Sequence, residues 1–201
     1  MITTEKKKFH DRATRDARKL EKEKSDYGFI NDGAGKRYRV GVYFLLAGDV
    51  KKSAAAFDWF YDQFPDDIGE PVFNLYAALA SYRCGEIKKA RKRLLATQLS
   101  NLFLLPFLIG QRNTDIAVNL WHSSNHEQES YLLEIEEFLD EPTNAERSWI
   151  ETELNTQSFM TLKEGYIATF AALKEESDIN KRDDILSQWE TLQAEEFGNA
   201  G

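Results

Sequence analysis

An all-α fold, built from short-turn helical hairpins with further helices before and after them, is what this sequence predicts. Only four prolines and eleven glycines punctuate the 201 residues, which leaves long stretches free for helix and few of the turn signals a sheet needs. Apolar residues recur at spacings of three and four along most of those stretches. Two glycine-acid pairs, Gly48-Asp49 and Gly85-Glu86, separate neighbouring stretches, where glycine can take the left-handed conformation that ends a helix. With 42% hydrophobic and 12% aromatic residues, the chain has enough apolar surface for a core, and disorder throughout is not expected.

From Thr4 to about Lys24, charges alternate around a thin apolar stripe of Phe9, Ala13, Ala17 and Leu20, so residues 1–26 are expected to form a solvated helix. A loop follows, marked by Gly28, Gly33 and Gly35 and by the turn formers Asn31-Asp32-Gly33. Its Gly35-Lys36 pair is not a phosphate loop. That motif needs glycine where Ile30 stands and Ser or Thr where Arg37 stands. Helices are expected at about 37–47 and 50–64, joined by Gly48-Asp49. Pro65 stops the second, and Pro71 suits the first turn of a third. Helices at about 71–84 and 87–98 then flank Gly85-Glu86, which follows the first turn by 37 residues.

The paired hairpins resemble tetratricopeptide repeats, whose period is about 34 residues. In the first hairpin the pattern rests on Gly41, Phe44, the Gly48-Asp49 turn, Ser53, Phe57 and Pro65. In the second it rests on Ala78, the Gly85-Glu86 turn, Ala90 and Leu94. The sequence departs from the family at Arg37 and Asn74, where tryptophan is common, and at Phe60, which replaces a small residue. The resemblance covers about residues 36–100. A third repeat is started, at most, by residues 101–109, in which Pro106 would kink the helix. It implies an α-α solenoid-like core over residues 36–110, with residues 111–198 as a helical extension packed on the same domain.

In that extension, Thr143 with Glu146 and Thr161 with Glu164 have capping-box spacing. Tyr131, Ile135 and Phe138 mark one helix, Trp149-Ile150 a second, Leu162, Tyr166, Phe170 and Leu173 a third, and Ile185, Trp189 and Leu192 a last one.

Cys84 stands alone, so no intramolecular disulfide is possible, and a reducing cytoplasm is the expected location. Met1 to Glu5 leads into charge, and the longest apolar run, Leu102 to Ile109, is too short for a bilayer. Neither export nor a membrane span is expected. The net charge of −8 is uneven, with 21 basic and 14 acidic residues up to Arg112 and 5 against 20 beyond it. Two halves that attract each other explain this, as does a charged partner for either half.

Motifs for chemistry are sparse. His122 and His126 have the spacing of two metal ligands on a helix, but Ser123-Ser124-Asn125 between them favours a turn and no third His or Cys is near. Cys84 has no adjacent histidine, and no serine sits in a Gly-x-Ser-x-Gly elbow. No metal and no cofactor is expected. The functional expectation is a non-catalytic protein-interaction scaffold.

By the resemblance, the first helix of each hairpin lines a concave groove. That places Tyr38, Val42, Leu45 and Leu46 with Val72, Leu75, Leu79 and Tyr82 on an apolar face. Inner positions that carry Lys, Arg or Asn in chaperone-clamping relatives hold Tyr38, Val42, Val72 and Tyr76 here, so a carboxylate clamp is not implied. The occupant would be the chain's own terminal helices, a partner helix or peptide, or a second copy as a homodimer. Two alternatives remain: a nucleic-acid-associated regulator using the basic outer helix 83–93, with Arg83, Lys88, Lys89, Arg91, Lys92 and Arg93, and an enzyme with a dispersed site in the carboxyl-terminal half.

Overall fold

A computed structural model describes residues 4–111, 129–135 and 142–199, and among them every regular element is a helix. The chain divides into two compact units, Met1–Ala90 and Arg91–Gly201. No helix among the described residues is long and apolar enough to cross a membrane.

The first unit starts with the 24-residue helix α1 (Thr4–Tyr27). Its apolar stripe does not stay solvated. Ala13 and Leu20 are buried with Val40 and Phe44, and Ala17, Tyr43, Ala56 and Trp59 pack around them. The helix thus lies on α2 (Lys36–Leu46) and reaches α3 (Val50–Gln63). Burying each large side chain of this cluster contributes about 1.5–3 kcal/mol, which is what holds so polar a helix to the domain.

At the start of α2 the glycine-rich loop has an internal purpose. Asp32, 5% exposed, accepts hydrogen bonds from the backbone N–H groups of Lys36 (2.8 Å) and Arg37 (2.7 Å). Gly35, at the N-cap position, has no side chain to do this. The helix N-terminus, where an external anion would bind, is filled by the protein's own carboxylate.

The two glycine turns are built alike. At Gly48 (φ +81°) the Asp49 N–H bonds to the Phe44 carbonyl at 2.9 Å, and at Gly85 (φ +78°) the Glu86 N–H bonds to the Ser81 carbonyl at 3.0 Å. Each is a Schellman closure that satisfies an orphan carbonyl and turns the chain at once into the next helix. Asp49 then caps α3 by accepting from the Lys52 N–H at 3.2 Å. Between the turns, α3 folds back on α2, and α4 (Pro71–Arg83) packs on both. Gly41 makes the first of these contacts possible, because a Cβ there would lie 2.8 Å from the Phe57 ring. Ser53 Oγ donates to the Gly41 carbonyl at 2.8 Å across the same crossing.

Phe60, the large residue at a position where the repeat pattern has a small one, is fully buried. Its ring lies 4.6 Å from Phe73 and 5.5 Å from both Tyr38 and Phe64. The two polar departures hold the loop between the hairpins. Arg37 Nη2 donates to Asp67 at 2.9 Å, Asn74 Nδ2 donates to the Ile68 carbonyl at 2.9 Å, and Tyr61 OH donates to Asn74 Oδ1 at 2.8 Å.

The division between the units falls inside α5 (Ile87–Ser100). In the second unit Leu94, Leu95, Leu104, Leu105, Ile150, Phe159 and Leu162 are fully buried. Pro106 does not interrupt a long helix. It sits within the five-residue helix α6 (Leu104–Leu108), where a missing N–H costs little, and Asn101 Oδ1 accepts from the Phe103 and Leu104 N–H groups at its start.

After α7 (Ser130–Ile135), α8 (Asn144–Leu154) opens with the expected capping box of Thr143 and Glu146 and packs on α6 and α9 (Gln157–Glu175). The second expected box is not a cap. Thr161 lies inside α9, which starts four residues earlier, and its hydroxyl accepts from the Gln157 side chain at 3.0 Å. The Thr-x-x-Glu spacing also occurs along a helix face, so spacing without the backbone angle does not define a start. Helix α10 (Ile179–Asn199) packs along α9, with Trp189 against Tyr166 at 5.9 Å.

Candidate partner-binding surface

The eight residues expected to line the groove fall into two groups, with Leu46 among the partly exposed ones. Leu45, Leu75 and Leu79 are buried within the chain, at 3%, 0% and 1% exposure, while Tyr38, Val42, Val72 and Tyr82 are partly exposed. Helix α4 is buried nearly all round, from Phe73 through Ser81. Tyr38 has a structural partner as well. Its hydroxyl donates to Asp67 at 2.5 Å and accepts from Arg37 at 2.8 Å. Burial and the Asp67 carboxylate together hold the Tyr38 phenol above its ordinary pKa. Burial would lower the Arg37 pKa, but its hydrogen bonds to Tyr38 and Asp67 outweigh that and raise it.

Apolar surface is open elsewhere in the first unit. A cleft of about 300 Å³ runs between α1, α2 and α3, lined by Ala17, Leu20, Val40, Phe44, Ala55, Ala56 and Trp59, with Glu21 and Lys52 as its charged lining. Sequence reasoning missed it because it assigned the α1 stripe to a solvated helix. The signal was present, since Ala55, Ala56 and Trp59 share a face of α3 beside that stripe. Lys52 lines the cleft beside Phe44. Its ammonium is held by Asp49 at 2.9 Å and lies 5.6 Å from the centre of the Phe44 ring.

Asp49 gives a test of this corner. Burial pushes its carboxyl pKa up, but the Lys52 ammonium and backbone N–H overcome this and hold it below the ordinary value. A depressed carboxyl contributes stability above about pH 4 and loses it as pH falls through the lower folded value. Asp49→Asn should keep a working cap and flatten the acid side of a melting-temperature profile below about pH 4. An unchanged acid limb would show that Lys52 does not stabilise the carboxylate.

The basic residues expected on one helix at 83–93 are divided between two, with Arg83 ending α4 and the other five on α5. Lys89 binds Asp58 at 2.8 Å and Glu86 at 2.9 Å, which raises its pKa. Arg91 binds Glu153 at 3.0 Å, and Arg93 is 8% exposed. Lys88 and Lys92 remain exposed. Six charges that read as a phosphate track thus include three committed to neighbours within the protein.

His122 and His126 lie outside the described residues, and no group of three or more potential metal ligands occurs among those described. Cys84 is partly buried, with Sγ 3.6 Å from the Val50 carbonyl. Set against known proteins, the chain matches no family model, no curated protein and no solved structure.

Proposed function

We propose that this chain is a non-catalytic protein-interaction module, a TPR-like pair of hairpins with added helices, that receives apolar side chains of a partner helix in the cleft between α1 and α3. The cleft carries the reading. It is open, apolar and bounded by three helices fixed to one another by buried contacts, so it is preformed and costs little to organise on binding. A helix in such a groove anchors by residues at i, i+3 and i+4 spacing. Within the groove set expected from the sequence, Tyr38, Val42, Leu46, Val72 and Tyr82 keep part of their surface exposed.

Ala55 tests this proposal with little risk to the fold, because it lines the cleft yet is exposed. Ala55→Glu should change stability by no more than about 0.5 kcal/mol. Affinity capture with the wild-type and variant chains in parallel should then lose, on the variant, the proteins the wild type retains. If the folded variant keeps every partner, the cleft is not the binding surface. A shift in sedimentation between the two purified proteins would identify the partner as a second copy.

A further inference from the structure

We propose that the outward face of α1, together with the turn that follows it, binds single-stranded nucleic acid. Lys8, Arg12, Arg15, Lys19 and Lys22 follow one another at alternating steps of four and three residues, with Arg18 beside them, and all six are exposed. At about 1.5 Å per residue they form a row roughly 21 Å long. The opposite face of the helix is locked to α2 through Ala13 and Leu20, so the row is rigidly mounted with its charges outward.

Two members have acidic neighbours, Lys22 with Asp26 at 3.4 Å and Arg15 with Asp16 at 3.7 Å, and Glu5, Asp11 and Glu23 are further carboxylates on or beside that face. Lys8, Arg12, Arg18 and Lys19 make no ion pair among the described residues. This distinguishes the row from the basic residues of α5, where Lys89 and Arg91 are already paired.

At the end of the row stand two exposed aromatic rings, Tyr27 at 69% and Phe29 at 64%, with centroids 6.5 Å apart and Gly28 between them. Basic side chains for the backbone and open aromatic faces for unpaired bases are the two parts that single-strand recognition requires. A lipid surface fits less well, because an interfacial helix buries its own apolar face in the membrane and that of α1 is already in the core. The chain's net charge of −8 does not cancel the row, since charges farther away than about 8 Å are screened at physiological salt.

Anisotropy of a fluorescent oligodeoxythymidylate of about 20 nucleotides, titrated with the full chain, tests the proposal. Binding should weaken between about 50 and 200 mM salt with a logarithmic slope near −4, as expected for five or six phosphate contacts. Arg12→Glu/Arg18→Glu/Lys19→Glu should reduce affinity more than about tenfold. The neutral set Arg12→Gln/Arg18→Gln/Lys19→Gln should weaken it less, and circular dichroism should show both as helical as the wild type. Tyr27→Ala/Phe29→Ala should lose at least about fivefold at an unchanged salt slope.

Absence of salt-sensitive binding by the wild type, or charge variants that bind like it, would overturn the proposal. So would duplex bound as tightly as single strand with the aromatic variant unaffected. Retention on phosphatidylserine vesicles through the same residues, without retention of the oligonucleotide, would assign the row to lipid instead.

Discussion

Replacing Gly41 with leucine should cost this protein about 3 kcal/mol or more and lower its melting midpoint by roughly 6–12 °C. The reason is the closeness of α2 and α3. A Cβ built on Gly41 would meet three atoms of the Phe57 ring at 2.8–2.9 Å, well inside contact distance. The ring cannot swing away cheaply, being 1% exposed and packed edge-on against Phe73 at 5.1 Å. Separating the helices instead would break the Ser53 bond to the Gly41 carbonyl and leave the buried Ser53 hydroxyl without that partner.

Alanine already carries the offending Cβ, so Gly41→Ala should also destabilise, even though alanine is the better helix former by about 1 kcal/mol. Gly85→Ala is the useful control. Nothing lies within 4 Å of its Cβ, so the cost there is only the strain of φ +78°, about 1–2 kcal/mol. Equal losses at the two sites, read from thermal melts, would refute the close helix crossing.

Leu79→Asp should unfold the first unit. Leu79 is 1% exposed on a helix whose neighbouring positions, Leu75 and Ala78, are completely buried. A carboxylate placed there would be a buried charge without a partner, costing about 3–5 kcal/mol, or a neutralised acid still lacking hydrogen bonds. Removal of the leucine packing adds to this. That approaches the whole stability of an ordinary domain.

The outcome separates two surfaces. If Leu79 lined a groove used by a second chain, the aspartate variant would stay folded and lose its partner. Loss of near-ultraviolet circular dichroism, or a shifted melting transition for Leu79→Asp beside an undisturbed Ala55→Glu, is the result that burial predicts. A fully folded Leu79→Asp protein would return the face that carries Leu79 to consideration.

Much of the helical framework was legible in the residues. The Gly48-Asp49 and Gly85-Glu86 turns, Pro71 at the first turn of α4 and the Thr143 to Glu146 box are local devices. Each acts through backbone angles or hydrogen bonds within a few residues, so the sequence carries the whole instruction. Gly41 and Ser53 were legible as small residues at a helix contact for the same reason, since hairpin register brings them together once the turn is placed. Thr161 shows the limit, because the side-chain spacing of a cap also arises inside a helix.

Surfaces were much less legible than elements. The sequence by itself determined which residues share a helix face and where each helix turns, because periods of three and four are properties of one helix alone. Only the tertiary structure decided what covers each face. It put the α1 stripe into the core against Val40 and Phe44, buried Leu75 and Leu79 inside the chain, and left the cleft beside Trp59 open. It also paired Lys89 with Asp58 and Arg91 with Glu153, while leaving Arg12, Arg18 and Lys19 facing water. Burial and pairing depend on residues distant in sequence, and hydrophobic attraction has no direction of its own. The same apolar stripe therefore fits a core, a cleft or an interface until the packing of the other helices selects one.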